Sequence, residues 1–494
     1  MTEENPPVSR IALFGRPRQL WPVAALLSRE LPARIDLVLV EEDGDDPPAG
    51  LSLACAGAYH ERLGMGVGEI VAQSRATLGL GVDYRDWQGE GSRFFSAASG
   101  SLPSVDGVAL HQIMLRAAWL YEQPERLAHL YQPFRFCARA AMAGKLALGS
   151  DHPPSPRTML GPTLQCDADA YAALCREKAG EGARLLRGAR PVELRYAADG
   201  AALCAVRLEN GEEIEADLFV DLSGAVSALV PRTDRPAIHS PAMTGAFDRT
   251  ISGRCAYPVD HRHRLARALP GGVLVETPVG EGSVAELLFS STRLDEAAAR
   301  DLIGGEGESA AFEGYATQAP WTGNLARLGL ASARLGPHLS ADMLLLQAQA
   351  LHLADSIPAR RLMDVEAAAF NRKQADSLAR ICDFGFLPFL LNTRGEELWK
   401  ALRQTPPSAT LELRLAQFRS RGRFVTFDRE LFDEQSWIEM MIGFGIVPER
   451  YDRRADVFDM GALAPRLKAL VDRFDAEIEG MPGHDECLRK LAAG

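Results

Sequence analysis

Apolar and polar positions mark out segments from the start of the chain. Ser9 to Phe14 (SRIALF) is a short apolar run closed by Gly15, and Gln19 to Glu30 carries helical spacing. Ile35 to Val40 (IDLVLV), apolar apart from Asp36 and ending in Glu41-Glu42, reads as a buried strand. This order predicts a β-α-β unit. In dinucleotide-binding folds the first strand-to-helix turn of such a unit meets the pyrophosphate, and an acid closing the second strand meets the ribose. Glu41 is placed for that acid. A plain β-α-β unit with a solvated acidic turn would carry the same pattern.

Further along, a Pro-rich stretch, His152 to Arg157, interrupts the chain before a helix expected from Asp167 to about Gly180. Two alternating segments, Ala201 to Leu208 and Glu213 to Val220, flank the turn signal Asn210-Gly211. The second runs on into DLFVDLSG (Asp217 to Gly224), a strand ending in Asp-x-x-Gly and a second cofactor-side turn candidate. Leu339 to Ile357 is apolar with helical period. From Leu387 onward the chain reads as helical, with Trp399, Trp437 and Phe444 as packing anchors. The fold expected is α/β, with a body over residues 1–385 and a helical subdomain over 386–494.

The 494 residues are 47% hydrophobic and 24% charged, the composition of an ordinary globular protein. A net charge of −12 and the absence of a long basic run argue against nucleic acid or an anionic membrane as partner. No apolar stretch reaches the roughly 18 residues of a transmembrane helix, and the acidic start lacks the features of a secretory signal, so a cytoplasmic location is expected. The eight cysteines are scattered without a C-x-x-C pair, and His261-Arg262-His263 reads as a polar turn rather than as a metal-binding pair. No metal is assigned.

Four segments in order carry a resemblance: GMGVGEIVAQ (Gly64 to Gln73), ATLGLGVDYRDWQGEGSRFF (Ala76 to Phe95), DLFVDLSG, and SWIEMMIGFGIVPERYD (Ser436 to Asp452). Together, over about Ile11 to Asp452, the chain resembles the flavin-dependent tryptophan halogenases. The resemblance implies a flavoprotein-monooxygenase-like FAD-binding fold, with a Rossmann-type start, a mixed substrate-side sheet and a helical C-terminal subdomain. It also implies a chemistry in which the flavin carries the oxidation and a lysine presents hypohalous acid to an aromatic substrate.

Position by position, the chemical residues of that family are replaced. The family's G-x-G-x-x-G-W turn reads Gly15-Arg16-Pro17-Arg18-Gln19-Leu20-Trp21 here. Pro17 puts a ring and no N–H where the second glycine lets the backbone approach a pyrophosphate. This degenerate turn puts FAD binding in doubt, with Arg16 and Arg18 as candidate replacement phosphate contacts or as solvated turn residues. The lysine of A-T-F-K-L-G-I is Gly79. The second acid of L-E-P-L-E-S-T is Leu339, its threonine is Ala341, and His338 is the ionisable group left. Both tryptophans of W-x-W-x-I-P are valines, Val273 and Val275, and only Pro278 remains.

What still matches is Gly15, Glu41, Gly66, Gly68, Glu69, Asp221, Gly224 and Gly329, the candidate cofactor-side positions. They are mostly residues that shape backbone. No catalytic residue is assigned. The reading favoured is a halogenase-like homologue impaired in halogenation, acting as a non-catalytic partner or regulatory subunit, in a homo-oligomer or with a related halogenase-like chain. The alternative is an active FAD-dependent monooxygenase or oxidase, or less readily a halogenase with relocated groups, acting on a small aromatic molecule.

Overall fold

The structure is a computed structural model and describes residues 6–55, 57–97, 102–148, 155–198, 202–224, 229, 246–255, 262–427 and 430–493. His152 to Pro154 of the Pro-rich stretch, Ala201 and His261 lie outside the described residues.

The opening apolar run forms the strand Arg10–Gly15. The helix Pro17–Glu30 follows, with Pro17 in its first turn where a missing N–H costs nothing, and then the strand Asp36–Glu41. These strands belong to a six-stranded sheet ordered Arg184–Arg187, Asp36–Glu41, Arg10–Gly15, Leu218–Leu222, Leu325–Arg327, Trp321–Thr322. It is parallel except at its last pair. Strand parity splits its apolar residues between two layers. Ile11, Leu13, Leu37 and Leu39 pack under the helices Pro17–Glu30 and Ala168–Ala179, while Ala12, Phe14, Val38, Val40 and Phe219 pack on a three-stranded antiparallel sheet.

That small sheet corrects one sequence expectation. Glu213 to Val220 is not one segment: Glu213–Glu215 closes the small sheet and Leu218–Leu222 enters the parallel one. Asp217 is the pivot. Its Oδ2 accepts the N–H groups of Ser9 (2.7 Å) and Arg10 (3.0 Å), so the carboxylate fixes the chain where it changes sheets.

A seven-stranded sheet stands beside this unit, in the order Glu308–Ala311, Arg249–Cys255, Gly282–Phe289, Gly272–Val279, Arg264–Leu269, Gly81–Arg85, Arg93–Ala97. It is mixed, because Arg264–Leu269 runs parallel to Gly81–Arg85 among otherwise antiparallel pairs. The expected helices over it are present, and Trp399, Trp437 and Phe444 are buried beneath them. The helix Asp364–Leu391 runs unbroken through the 385/386 division. The late residues Phe474, Ile478 and Met481 pack in the same apolar cluster as Leu13 and Trp21.

Candidate functional site

A cleft of about 600 Å³ opens at the carboxyl ends of the parallel strands, the place where open α/β sheets bind ligands. The turn at Arg16 and Arg18 forms one wall, the segment from Glu42 to Leu51 another, and Leu222 to Gly224 the floor. The far end is closed by Glu286, Pro337, Ser340 and Asp342. Gly15 lets the two central strands approach, since a β-carbon there would lie 2.7 Å from the Leu222 backbone. Gly224 (φ 92°) turns the chain along the cleft.

The expected cofactor positions divide. Gly224 lines the cleft, and Gly15, Asp221 and Gly329 sit directly behind it, each beside a lining residue (Arg16, Leu222, Leu330). Asp221 accepts the Ser223 N–H at 3.0 Å, and the Gly329 N–H donates to Gln349 Oε1 at 2.6 Å. Gly66, Gly68 and Glu69 are elsewhere: Gly66 caps the short helix Val67–Gln73, a β-carbon on Gly68 would sit 2.6 Å from the Leu491 carbonyl, and Glu69 pairs with Lys178.

Glu41 faces away from the cleft. The Trp21 indole N–H donates to its Oε2 at 2.6 Å, and Arg187 approaches its other oxygen at 3.6 Å. Glu41 continues the face of Leu37 and Leu39, the helix-covered side of the sheet. Glu42 is the acid that lines the cleft, and burial together with the nearby Asp221 charge pushes its carboxyl up to about 7 against the pull of Arg16 and Arg190. Alternation along the strand was the signal that separates the two.

Arg18 is not solvated. Its guanidinium is buried, bonded to both oxygens of Asp169 at 2.6 and 2.8 Å and to the carbonyls of Pro47 (2.6 Å) and Asp46 (3.2 Å). Arg16 pairs with Asp46 at 2.7 Å. The turn therefore offers a proline in place of a donor, an arginine whose hydrogen bonds are spent on its own chain, and carboxylates from Glu42, Asp43 and Asp46 on the facing wall. These residues do not fit a pyrophosphate held by the N–H groups of the turn.

At the far end, Ser340 (φ 53°) donates its hydroxyl to the Gly50 carbonyl at 3.0 Å and accepts the Ser52 N–H at 3.1 Å. The loop carrying Leu339 is thereby pinned to the strand Gly50–Ala54. Burial raises Glu286 to about 7, although the Gly50 N–H donates to it at 3.2 Å and Arg264 opposes the shift. Asp342 is raised to about 6, again by burial. Sequence reasoning missed both acids, because an isolated acid in an apolar run has no spacing to announce it. His338 is buried, and burial with the Arg264 charge lowers it to about 3.

The lysine position is closed. Gly79 and Gln165 lie on one face of a small antiparallel sheet, and the Gln165 amide fills the space that a β-carbon on Gly79 would need. Gln165 is fully buried, with neither amide atom hydrogen-bonded among the described residues. Among the described residues no lysine lines the cleft, and Lys145 donates instead to the Met481 carbonyl at 2.8 Å. Val273 and Val275 are buried beneath the helical cover with Trp87 and Leu387. His263 is held by the Leu80 N–H at 3.1 Å, and no group of residues that could hold a metal is present among the described residues.

Residues 10–460 match the tryptophan halogenase family model. The chain belongs to the tryptophan halogenase family. Solved structures of similar fold include a flavin-dependent halogenase from Brevundimonas sp. BAL3, at TM-score 0.87 and 24% identity over 98% of this chain and 99% of that one. A flavin-dependent halogenase from Xanthomonas campestris matches with the same figures, TM-score 0.87, 24% identity, and 98% and 99% coverage. A tryptophan 6-halogenase from Streptomyces toxytricini matches at TM-score 0.83 and 18% identity over 99% of this chain and 100% of that one. Membership in the tryptophan halogenase family accounts for the two sheets and the helical cover. Among the described residues no helix is long and apolar enough to cross a membrane.

Proposed function

We propose that this chain keeps the halogenase fold without the halogenation chemistry and serves as a non-catalytic partner or regulatory subunit. One observation carries the reading: the Gln165 amide occupies the space above Gly79, so the position that would hold the lysine has neither an amine nor room for one. Leu339 in place of the acid and the spent hydrogen bonds of Arg18 point the same way. An aliphatic side chain takes no proton and orients no cation.

A second reading has its own support. Glu286 and Asp342, raised to about 7 and about 6, are carboxyls tuned to hold or release a proton near neutrality at the closed end of a cleft. Such groups suit an FAD-dependent monooxygenase or oxidase acting on a small aromatic molecule.

Titration of the purified protein with oxidised and reduced FAD, followed by absorbance and tryptophan fluorescence, separates the two. No saturation up to millimolar flavin supports the non-catalytic reading. Saturable binding at micromolar flavin with oxygen consumption supports the second, and halide incorporation into any aromatic substrate would defeat both.

A further inference from the structure

A second cavity, of about 410 Å³, lies outside the cleft, between the helices Ala341–Ala354 and Asp364–Leu391 and the strands Tyr315–Ala316 and Ala333–Arg334. Its interior is apolar, with Leu335, Leu345, Leu378 and Phe386 prominent in the lining. Its rim includes the exposed residues Gln318, Ala375, Ala379 and Pro406, so the cavity opens to solvent. Ala375 and Ala379 are four residues apart on one helix face, and their short side chains leave the entrance clear.

Two polar side-chain atoms in this lining, Gln374 Oε1 and Thr317 Oγ1, are without a hydrogen-bond partner among the described residues. Gln374 is 3% exposed and Thr317 9%. The Gln374 amide N–H meets His352 Nδ1 at 2.9 Å, which leaves Oε1 unmatched, and the Thr317 hydroxyl is unmatched as well. Buried groups of this kind are costly when unpaired and favourable when a ligand answers them. The other interior polar groups are matched within the protein: Gln349 donates to Ser332 Oγ at 2.8 Å, and Ser332 donates to the Gly329 carbonyl at 2.9 Å.

Charge narrows the ligand further. Among the described residues no lysine, arginine or histidine lines the cavity, and the acid in that lining is Asp383, which accepts the Ser408 hydroxyl at 2.6 Å. A ligand carboxylate or phosphate would find no cation among these lining residues and would face that acid. A hydroxyl group suits either unmatched atom, since it donates to an amide oxygen and accepts from a hydroxyl.

We propose that this cavity is a binding site for a neutral, mostly apolar small molecule carrying a hydroxyl, of the phenol class, held by Gln374 and Thr317. The site is separate from the halogenase chemistry and does not rest on whether the chain binds flavin.

The test uses the full chain and three probes of one shape: 2-naphthol, naphthalene and 2-naphthoate, followed by calorimetry. The expected result is saturable 1:1 binding of 2-naphthol, weaker binding of naphthalene by roughly five- to tenfold, and no binding of 2-naphthoate. Ala379→Trp, a change at an exposed position, should abolish 2-naphthol binding with Tm unchanged. Thr317→Val should raise Tm in the free protein, by removing an unmatched hydroxyl, and should narrow the gap between 2-naphthol and naphthalene. On the wild-type chain, 2-naphthol should slow alkylation of Cys382, which lines the cavity, and leave Cys204 unchanged. The proposal is overturned by no 2-naphthol binding up to millimolar concentration, by binding indifferent to Ala379→Trp, by equal affinity for naphthalene, or by binding of 2-naphthoate.

Discussion

Gln165 stands over Gly79, with its amide where a side chain at 79 would have to begin. The two residues lie on adjacent antiparallel strands, Thr163–Asp167 and Thr77–Gly79, and project from the same face. The small residue and the long one are therefore a matched pair, and neither can be judged alone.

Gly79→Ala should cost about 1–3 kcal/mol, the range for overpacking a filled interior. Gln165→Ala relieves the crowding and removes two unmatched buried amide atoms, so the double variant should be more stable than the sum of the singles. A double-mutant cycle by urea denaturation measures the coupling, expected at about 1–2 kcal/mol. Additive effects would mean that the pair does not share the space.

The two arginines of the turn should respond unequally to substitution. Arg18→Met removes hydrogen bonds to Asp169, Pro47 and Asp46 from a buried guanidinium and should cost about 2–3 kcal/mol. Arg16→Ala, at a half-exposed pair, should stay within about 0.5–1 kcal/mol. Thermal melts of both variants compare them directly. Equal small effects would remove the structural account of Arg18.

Glu286 should shape the pH dependence of stability. Its carboxyl is raised in the folded state from 4.5 to about 7, so between those pH values the folded chain holds a proton that the unfolded chain has released. Stability from this group is fully present below pH 4.5 and is lost as pH rises through 7. Glu286→Gln keeps an acceptor for the Gly50 N–H and removes the titration. The variant should lose less stability than wild type between pH 4.5 and 8, by up to about 3 kcal/mol. Denaturation at the two pH values checks this, and parallel losses would count against it.

Tyr171 links two buried groups. Gln347 donates to its oxygen at 2.7 Å, and its own O–H is left for His60 Nε2 at 2.8 Å. His60 is accordingly kept neutral, lowered to about 4 by burial. Tyr171→Phe leaves a buried amide donor and a buried ring nitrogen unmatched and should cost about 2–4 kcal/mol, whereas the double variant with Gln347→Leu should recover part of it. Chemical denaturation of the three proteins decides, and a neutral Tyr171→Phe would contradict the linkage.

Much of the fold was legible because it rests on periodicity. The opening β-α-β unit, the helix after Asp167 and the apolar helix now bounded by Ala341 and Ala354 follow from spacing, with Asp167 itself capping its helix through the N–H groups of Asp169 and Ala170. The division at Asp217 was hidden, because a carboxylate that binds backbone N–H groups from a distant strand looks from sequence like one polar residue in an alternating run. The site was harder still. Glu41 and Glu42 are adjacent in sequence and opposite in orientation, and Glu286 and Asp342 meet only because two distant segments close one end of the cleft. The losses at Gly79 and Leu339 could be read from sequence alone, but the residue that fills the vacated space at Gly79 could not.

Tyr315 belongs to the lining of both cavities, and its hydroxyl donates to the carbonyl of Leu330, itself a residue of the larger cleft. The two spaces thus have the Tyr315 side chain in common. Whenever an occupant on either side displaces that ring, the two affinities become linked, and thermodynamics requires the same factor in both directions. A molecule seated in the second cavity then acts on whatever occupies the cleft as strongly as that occupant acts on it.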